Sequence, residues 1–142
     1  MTIWRTYYHL IWATLNRQPL IKAKYEDELY GYIKVEADLL DCMIHAIGGM
    51  EDHIHLVVSI PPQLAVAEFV QQIKCSSSSY INHCFQEYGS ALKWQRGYGV
   101  LSLGGQQLKM AKVYVNRQKK YHAQGKILTA LERHFDGGEL EL

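Results

Sequence analysis

His53 and His55 stand two residues apart at the start of the apolar run HIHLVVSI, residues 53–60. Along an extended strand side chains alternate between faces, so both imidazoles project to one side while Ile54, Leu56 and Val58 project to the other. Two imidazoles on one face can converge on a single metal ion. With seven histidines in 142 residues, chance alone gives about 0.3 such pairs per chain, so the pattern gains its meaning from what accompanies it.

The accompaniment lies in KMAKVYVNRQKKYH, residues 109–122. Tyr114 and Gln118 are four residues apart, one turn on the same helical face, so a phenol and an amide oxygen could point into one site. Chance supplies about 0.7 such pairs here. The surrounding charge is less ordinary: Lys109, Lys112, Arg117, Lys119, Lys120 and Lys126 occur in residues 109–126 with no acidic residue among them, and Glu132, Asp136, Glu139 and Glu141 follow. A basic helix carrying a tyrosine suits contact with a phosphate backbone.

Those side chains need elements to position them. Residues 3–15 are rich in β-branched and aromatic residues and end at the turn cluster NRQP, which predicts a first strand. From Pro19 to about Leu40, apolar residues recur at helical spacing between charges and predict an amphipathic helix. CMIHAI, residues 42–47, reads as a second strand, GGMED as a turn, and residues 53–60 as a third strand stopped by Pro61 and Pro62. A helix is expected over 64–88 despite the weak helix formers Ser76–Ser79. RGYGVLSLGG, residues 96–105, predicts a fourth strand, residues 106–122 a third helix, and Lys126–His134 a last short one.

The order β-α-β-β-α-β-α predicts an α+β, ferredoxin-like (split βαβ) four-stranded antiparallel sheet with helices on one face. The other face stays open for a ligand, a partner subunit or the C-terminal helix. A single domain over residues 1–142 is expected, its C-terminal helix and tail covering about 106–142.

Composition narrows the setting. Lys and Arg total 15 against 14 Asp and Glu, so net charge alone does not point to nucleic acid. Cys42, Cys75 and Cys84 are odd in number and lack metal-site spacing, which suits a reducing cytoplasm rather than a disulfide scaffold. The apolar start carries Arg5 and His9 and no cleavage-like site, so it reads as a strand rather than a leader. No apolar run is long enough to span a membrane. His9 and His45 lie on expected strands and receive no role. Tyr7, Tyr8, Trp12, Trp94 and Tyr98 are assigned to the core and sheet faces, and Arg96 is a phosphate-contact candidate.

Taken together, YYHLIWATLNRQPLI, EDHIHLVVSIPP, QIKCSSS, WQRGYGVLSLG and VYVNRQKKYH, in that order over nearly the whole chain, resemble the HUH-superfamily single-tyrosine transposases of small bacterial and archaeal insertion sequences. The resemblance implies that His53 and His55 are metal ligands, that Tyr114 is the nucleophile and that Gln118 is the third ligand. The family often has two histidines after the glutamine where this chain has Tyr121 and His122, so His122 is the alternative ligand. Asp52, Lys112, Arg117 and Lys119 become candidates for supporting a ligand or contacting DNA. The implied activity is cutting and rejoining single-stranded DNA at hairpin-bearing element ends, by a homodimer that needs a divalent ion.

The chemistry suits the residues. Tyrosine attack exchanges one phosphate ester for another, so rejoining needs no nucleotide cofactor. A phenol of pKa near 10 is a poor nucleophile at neutral pH, and a nearby dication offsets that. Nitrogen and amide-oxygen donors suit Mn²⁺ and tolerate Mg²⁺. Two alternatives stay open: an inactive hairpin-binding descendant, and an RNA-recognition-type module, for which RGYGVLSL lacks the stacking aromatics.

Overall fold

A computed structural model describes residues 2–85 and 91–118. Its elements run β1 (Tyr7–Ala13), α1 (Glu26–Leu39), β2 (Met43–Met50), β3 (His53–Ser59), α2 (Val66–Cys84), β4 (Gly99–Leu103) and α3 (Gly105–Asn116). The four strands form one sheet in the order β2-β3-β1-β4 with every neighbour antiparallel. The chain thus has the expected α+β arrangement.

The alternation of the strands sorts their side chains between two cores. Leu10, Trp12, Ile54, Leu56 and Val58 are buried with Leu29 and Ile33 of α1 and Phe69 and Ile73 of α2. On the opposite face Ala46 and Val57 pack with Ala111, Tyr114 and Val115 of α3. Positions 111, 114, 115 and 118 follow the i, i+3, i+4, i+7 spacing of one helical face, which explains why a helix with this much charge still docks. β3 lies between the two cores, and all seven of its residues are buried. Trp12 is fully buried, and Tyr8, Trp94 and Tyr98 pack against the larger core, as expected of them.

Several boundaries differ from the sequence expectations, each for a physical reason. β1 begins at Tyr7 rather than residue 3: Tyr7 pairs with Leu103 at the end of β4, and Ile3 and Trp4 precede that ladder and are exposed. Leu20, Ile21 and Tyr25 are buried but precede α1. The Ile21 amide donates to Glu51 O at 2.9 Å and the Tyr25 hydroxyl donates to Leu20 O, so their apolar spacing records burial in a folded-over loop. α1 starts where Glu26, Asp27 and Glu28 place negative charge at its N-terminus.

The expected GGMED turn contracts to Glu51 and Asp52, because β2 continues through Gly48, Gly49 and Met50. A Cβ on Gly48 would overlap the carbonyl oxygen of Val115, and one on Gly49 the carbonyl oxygen of His53. These glycines therefore permit close backbone approach, of α3 at Gly48 and of β3 at Gly49, and not a chain reversal. α2 keeps its serine run helical, with Ser76 and Ser78 hydroxyls donating to carbonyls one turn back at 2.8 and 2.9 Å. The Gly104 amide donates to Gln107 Oε1 at 2.8 Å, closing the N-terminus of α3. The helix expected at 126–134 and the end of the one expected over 106–122 lie outside the described residues. Among those described, no helix is long and apolar enough to cross a membrane.

Candidate active site

Register determines which side chains meet on the α3 face. Across β1 and β3, His9 faces Val57, Ile11 faces His55 and Ala13 faces His53. Directly opposed residues share a face, so His9, His53 and His55 all lie on the side that α3 covers. The two β3 histidines have ring centroids 5.0 Å apart. His9, diagonal to His55, brings its Nε2 within 2.9 Å of His55 Nδ1, with ring centroids 5.1 Å apart.

α3 brings Tyr114 onto this cluster. Its ring stands edge-on to His55, with centroids 5.8 Å apart and planes at 89°, and lies 6.5 Å from His9. All four side chains are at most 2% exposed, as is Gln118 one helical turn beyond Tyr114. Beside Gln118 a cavity of about 350 Å³ is bounded by Gly48, Gly49, Val115 and Arg117. Arg117 caps the C-terminus of α3, its amide donating to Val113 O at 3.1 Å.

The rim is charged. Asp52 Oδ1 is 2.7 Å from His53 Nδ1, and Arg17 Nε donates to Asp52 Oδ2 at 3.2 Å. Arg17 also places a terminal nitrogen 3.3 Å from His53 Nδ1. Burial alone would raise the Asp52 carboxyl, but the hydrogen bond and charge of His53, with Arg17 beside them, hold it below its ordinary value. Arg17 reaches this position from a left-handed backbone, with φ of 54° at both Asn16 and Arg17. The loop is pinned by Thr14, whose amide donates to Asp52 O at 2.9 Å, and by Gln95 Oε1, which accepts from the Asn16 amide at 2.8 Å.

The donor set fits a divalent cation. Nδ1 of His53 is engaged by Asp52 and Nδ1 of His55 by His9, so Nε2 is the nitrogen that each ring could offer to a cation, as metal-binding histidines commonly do. Among the described residues no three His, Cys, Asp or Glu side chains are grouped to hold a metal. The buried amide of Gln118 is a further neutral donor on the same helix as Tyr114.

The structure thus brings together His53, His55, Tyr114 and Asp52 from the sequence-derived set, and it buries Gln118 one helical turn beyond Tyr114. Lys112 lies elsewhere: its charge acts on His45, which burial chiefly and Lys112 secondarily hold below the ordinary histidine range. Lys119 and His122 lie outside the described residues. Two residues of the cluster were assigned no part by sequence reasoning. His9 is legible only once the β1–β3 register is known, and Arg17 only once the turn's left-handed backbone is seen.

Comparison with known proteins bears on family and fold. The model of the family described as transposase IS200-like matches residues 2–118. The ISDra2 transposase TnpA of Deinococcus radiodurans is 23% identical over 120 residues, covering 82% of this chain and 86% of that protein. The transposase for insertion sequence element IS200 of Salmonella typhimurium is 24% identical over 132 residues, covering 90% and 86%. Among solved structures, a Deinococcus radiodurans R1 protein described as a transposase superposes with a TM-score of 0.67 at 22% identity, covering 88% of this chain and 93% of that one. A REP-associated tyrosine transposase bound to a REP hairpin superposes with a TM-score of 0.62 at 13% identity, covering 89% and 76%.

Proposed function

We propose, for a chain that belongs to the IS200-like transposase family, that it cuts and rejoins single-stranded DNA at hairpin-bearing element ends through a tyrosyl phosphate intermediate. The observation that carries this reading is the packing of Tyr114 against His55, 5.8 Å between ring centroids, within a buried histidine cluster. A core tyrosine needs no such neighbours, whereas a nucleophile that must lose a proton near a phosphate does.

In the proposed reaction the phenolic oxygen of Tyr114 attacks a backbone phosphorus and forms a 5′-phosphotyrosine ester. The bond to the departing oxygen breaks, that oxygen takes up a proton as a free 3′-hydroxyl, and the phenol proton passes to solvent. One ester replaces another, so attack by a 3′-hydroxyl on the tyrosyl ester reverses the step and joins strands. His53 and His55, with Gln118, would hold a divalent ion, Mg²⁺ or Mn²⁺. When bound it supplies positive charge for the phenolate and for the negative charge developing on the phosphate. All three donors are neutral, so the ion's charge remains available to the anionic substrate. Asp52 orients His53 through Nδ1, and exposed Arg17 and Arg117 offer cationic contacts for the strand.

The hairpin partner is supported by the REP hairpin bound to a structural relative, and action as a cytoplasmic homodimer by the family resemblance. An RNA-recognition mode is disfavoured because α3 covers the sheet face on which bases would stack.

The deciding experiment incubates labelled single-stranded element ends with the protein and Mn²⁺ or Mg²⁺ on a denaturing gel. The reading requires a slow-migrating covalent adduct that EDTA prevents and Tyr114→Phe abolishes while hairpin binding persists. An adduct retained by Tyr114→Phe assigns the nucleophile elsewhere.

A further inference from the structure

We infer that His9 is a positioning residue that fixes the tautomer of His55. His9 is fully buried on β1, and its Nε2 lies 2.9 Å from His55 Nδ1. Only one of these nitrogens can carry the shared proton, and the two senses differ in consequence. If His55 Nδ1–H donates to His9 Nε2, the proton of neutral His55 is spent on that bond and its Nε2 presents a lone pair. If His9 Nε2–H donates instead, neutral His55 carries its proton on Nε2, where it blocks coordination.

The two β3 histidines are thereby oriented by different chemistry. His53 has a carboxylate, Asp52 Oδ1, at its Nδ1, and a carboxylate accepts without ambiguity. His55 has a neutral ring that can either accept or donate, so His9 sets its state by hydrogen-bond sense rather than by charge. Burial favours this bond in either sense, because an imidazole N–H removed from water without an acceptor is costly, and the sense in which His55 donates places the proton of neutral His9 on its Nδ1.

The inference rests on the reading that His55 ligates a metal, and the test separates the two. Mn²⁺ alone is titrated into the full-length protein, and free Mn²⁺ is followed by electron paramagnetic resonance, without DNA. Four variants are compared with the wild type: His55→Ala, His9→Leu, His9→Gln and His9→Asn. Glutamine places its amide near the Nε2 position of the lost ring, and asparagine places it near Nδ1. His55→Ala should abolish the response; if it binds Mn²⁺ like the wild type, the metal reading itself fails. His9→Leu and His9→Asn should each weaken Mn²⁺ about 10- to 100-fold, the range for loss of a ligand's hydrogen-bond partner, and His9→Gln should restore most of it. With His55→Ala silent, equal affinity in wild type and His9→Leu, or His9→Gln as weak as His9→Leu, overturns the role of His9 alone.

A second measurement needs no substitution at position 9. Long-range ¹H–¹⁵N spectra of the metal-free wild type should show His55 protonated at Nδ1 and bare at Nε2. The opposite tautomer overturns the inference.

Discussion

Tyr114 and His55 meet as ring edge against ring face, their planes 89° apart and their centroids 5.8 Å apart. One side chain comes from β3 and the other from α3 of the same chain, so their contact is made by docking a helix onto a sheet. Tyr114 is thus both a core residue of that docking and the proposed nucleophile. The two roles separate by substitution.

Tyr114→Phe keeps the ring and removes only the hydroxyl, so the loss of stability should stay within about 1–2 kcal/mol. Tyr114→Ala also removes the buried ring and should cost about 3–5 kcal/mol. Urea unfolding of both variants checks this. Equal losses would mean that the ring contributes little to holding α3 on the sheet.

At Gly48 the backbones of α3 and β2 approach closely, since a Cβ there would overlap the Val115 carbonyl. Gly48→Ala should therefore loosen α3 at a cost of about 1–3 kcal/mol, raising amide exchange in residues 111–116 while leaving the α1–α2 core protected. Unchanged exchange in α3 would show that the helix accommodates the methyl group by a small shift.

Arg17 combines a left-handed φ of 54° with a half-exposed ion pair to Asp52. A non-glycine residue in that region costs about 1–2 kcal/mol, and an exposed pair returns about 0–1 kcal/mol. Arg17→Gly should then fold at least as stably as the wild type while forming covalent adduct more slowly, because the guanidinium beside Asp52 and His53 is gone. Thermal melts and the adduct assay together test this; a clearly destabilised variant would show that the loop depends on the arginine.

Lys74 donates from α2 to the carbonyls of Gln95 and Gly97, each at 2.7 Å. Burial, which outweighs the opposing influence of Cys75, lowers its pKa from 10.5 to about 8. Between those values the unfolded chain holds the proton more tightly than the folded one, so this group's contribution to stability rises with pH. It is fully present above 10.5 and is lost as pH falls through about 8. The urea midpoint of the wild type relative to Lys74→Met should climb over that window. A flat difference would mean that Lys74 titrates alike in both states.

Much of this architecture was legible in the residues. The alternation of HIHLVVSI sends His53 and His55 to one face because a pleated strand repeats every two residues. The spacing of Ala111, Tyr114, Val115 and Gln118 makes one helical face. The order of strands and helices predicts the sheet that carries them. Periodicity was less reliable where it recorded burial alone: Leu20, Ile21 and Tyr25 mimic a helix but line a loop held to Glu51. Gly48 and Gly49 mimic a turn but lie in β2.

What the sequence by itself determined are the local facts: which side chains share a face, where charge gathers and in what order strands and helices follow. These follow from backbone geometry, which acts over a handful of neighbours. Only the tertiary structure decided that His9 meets His55 across 46 positions and that Arg17 reaches Asp52 across 35. Strand register and the docking of α3 set those contacts, and both depend on how distant surfaces fit together.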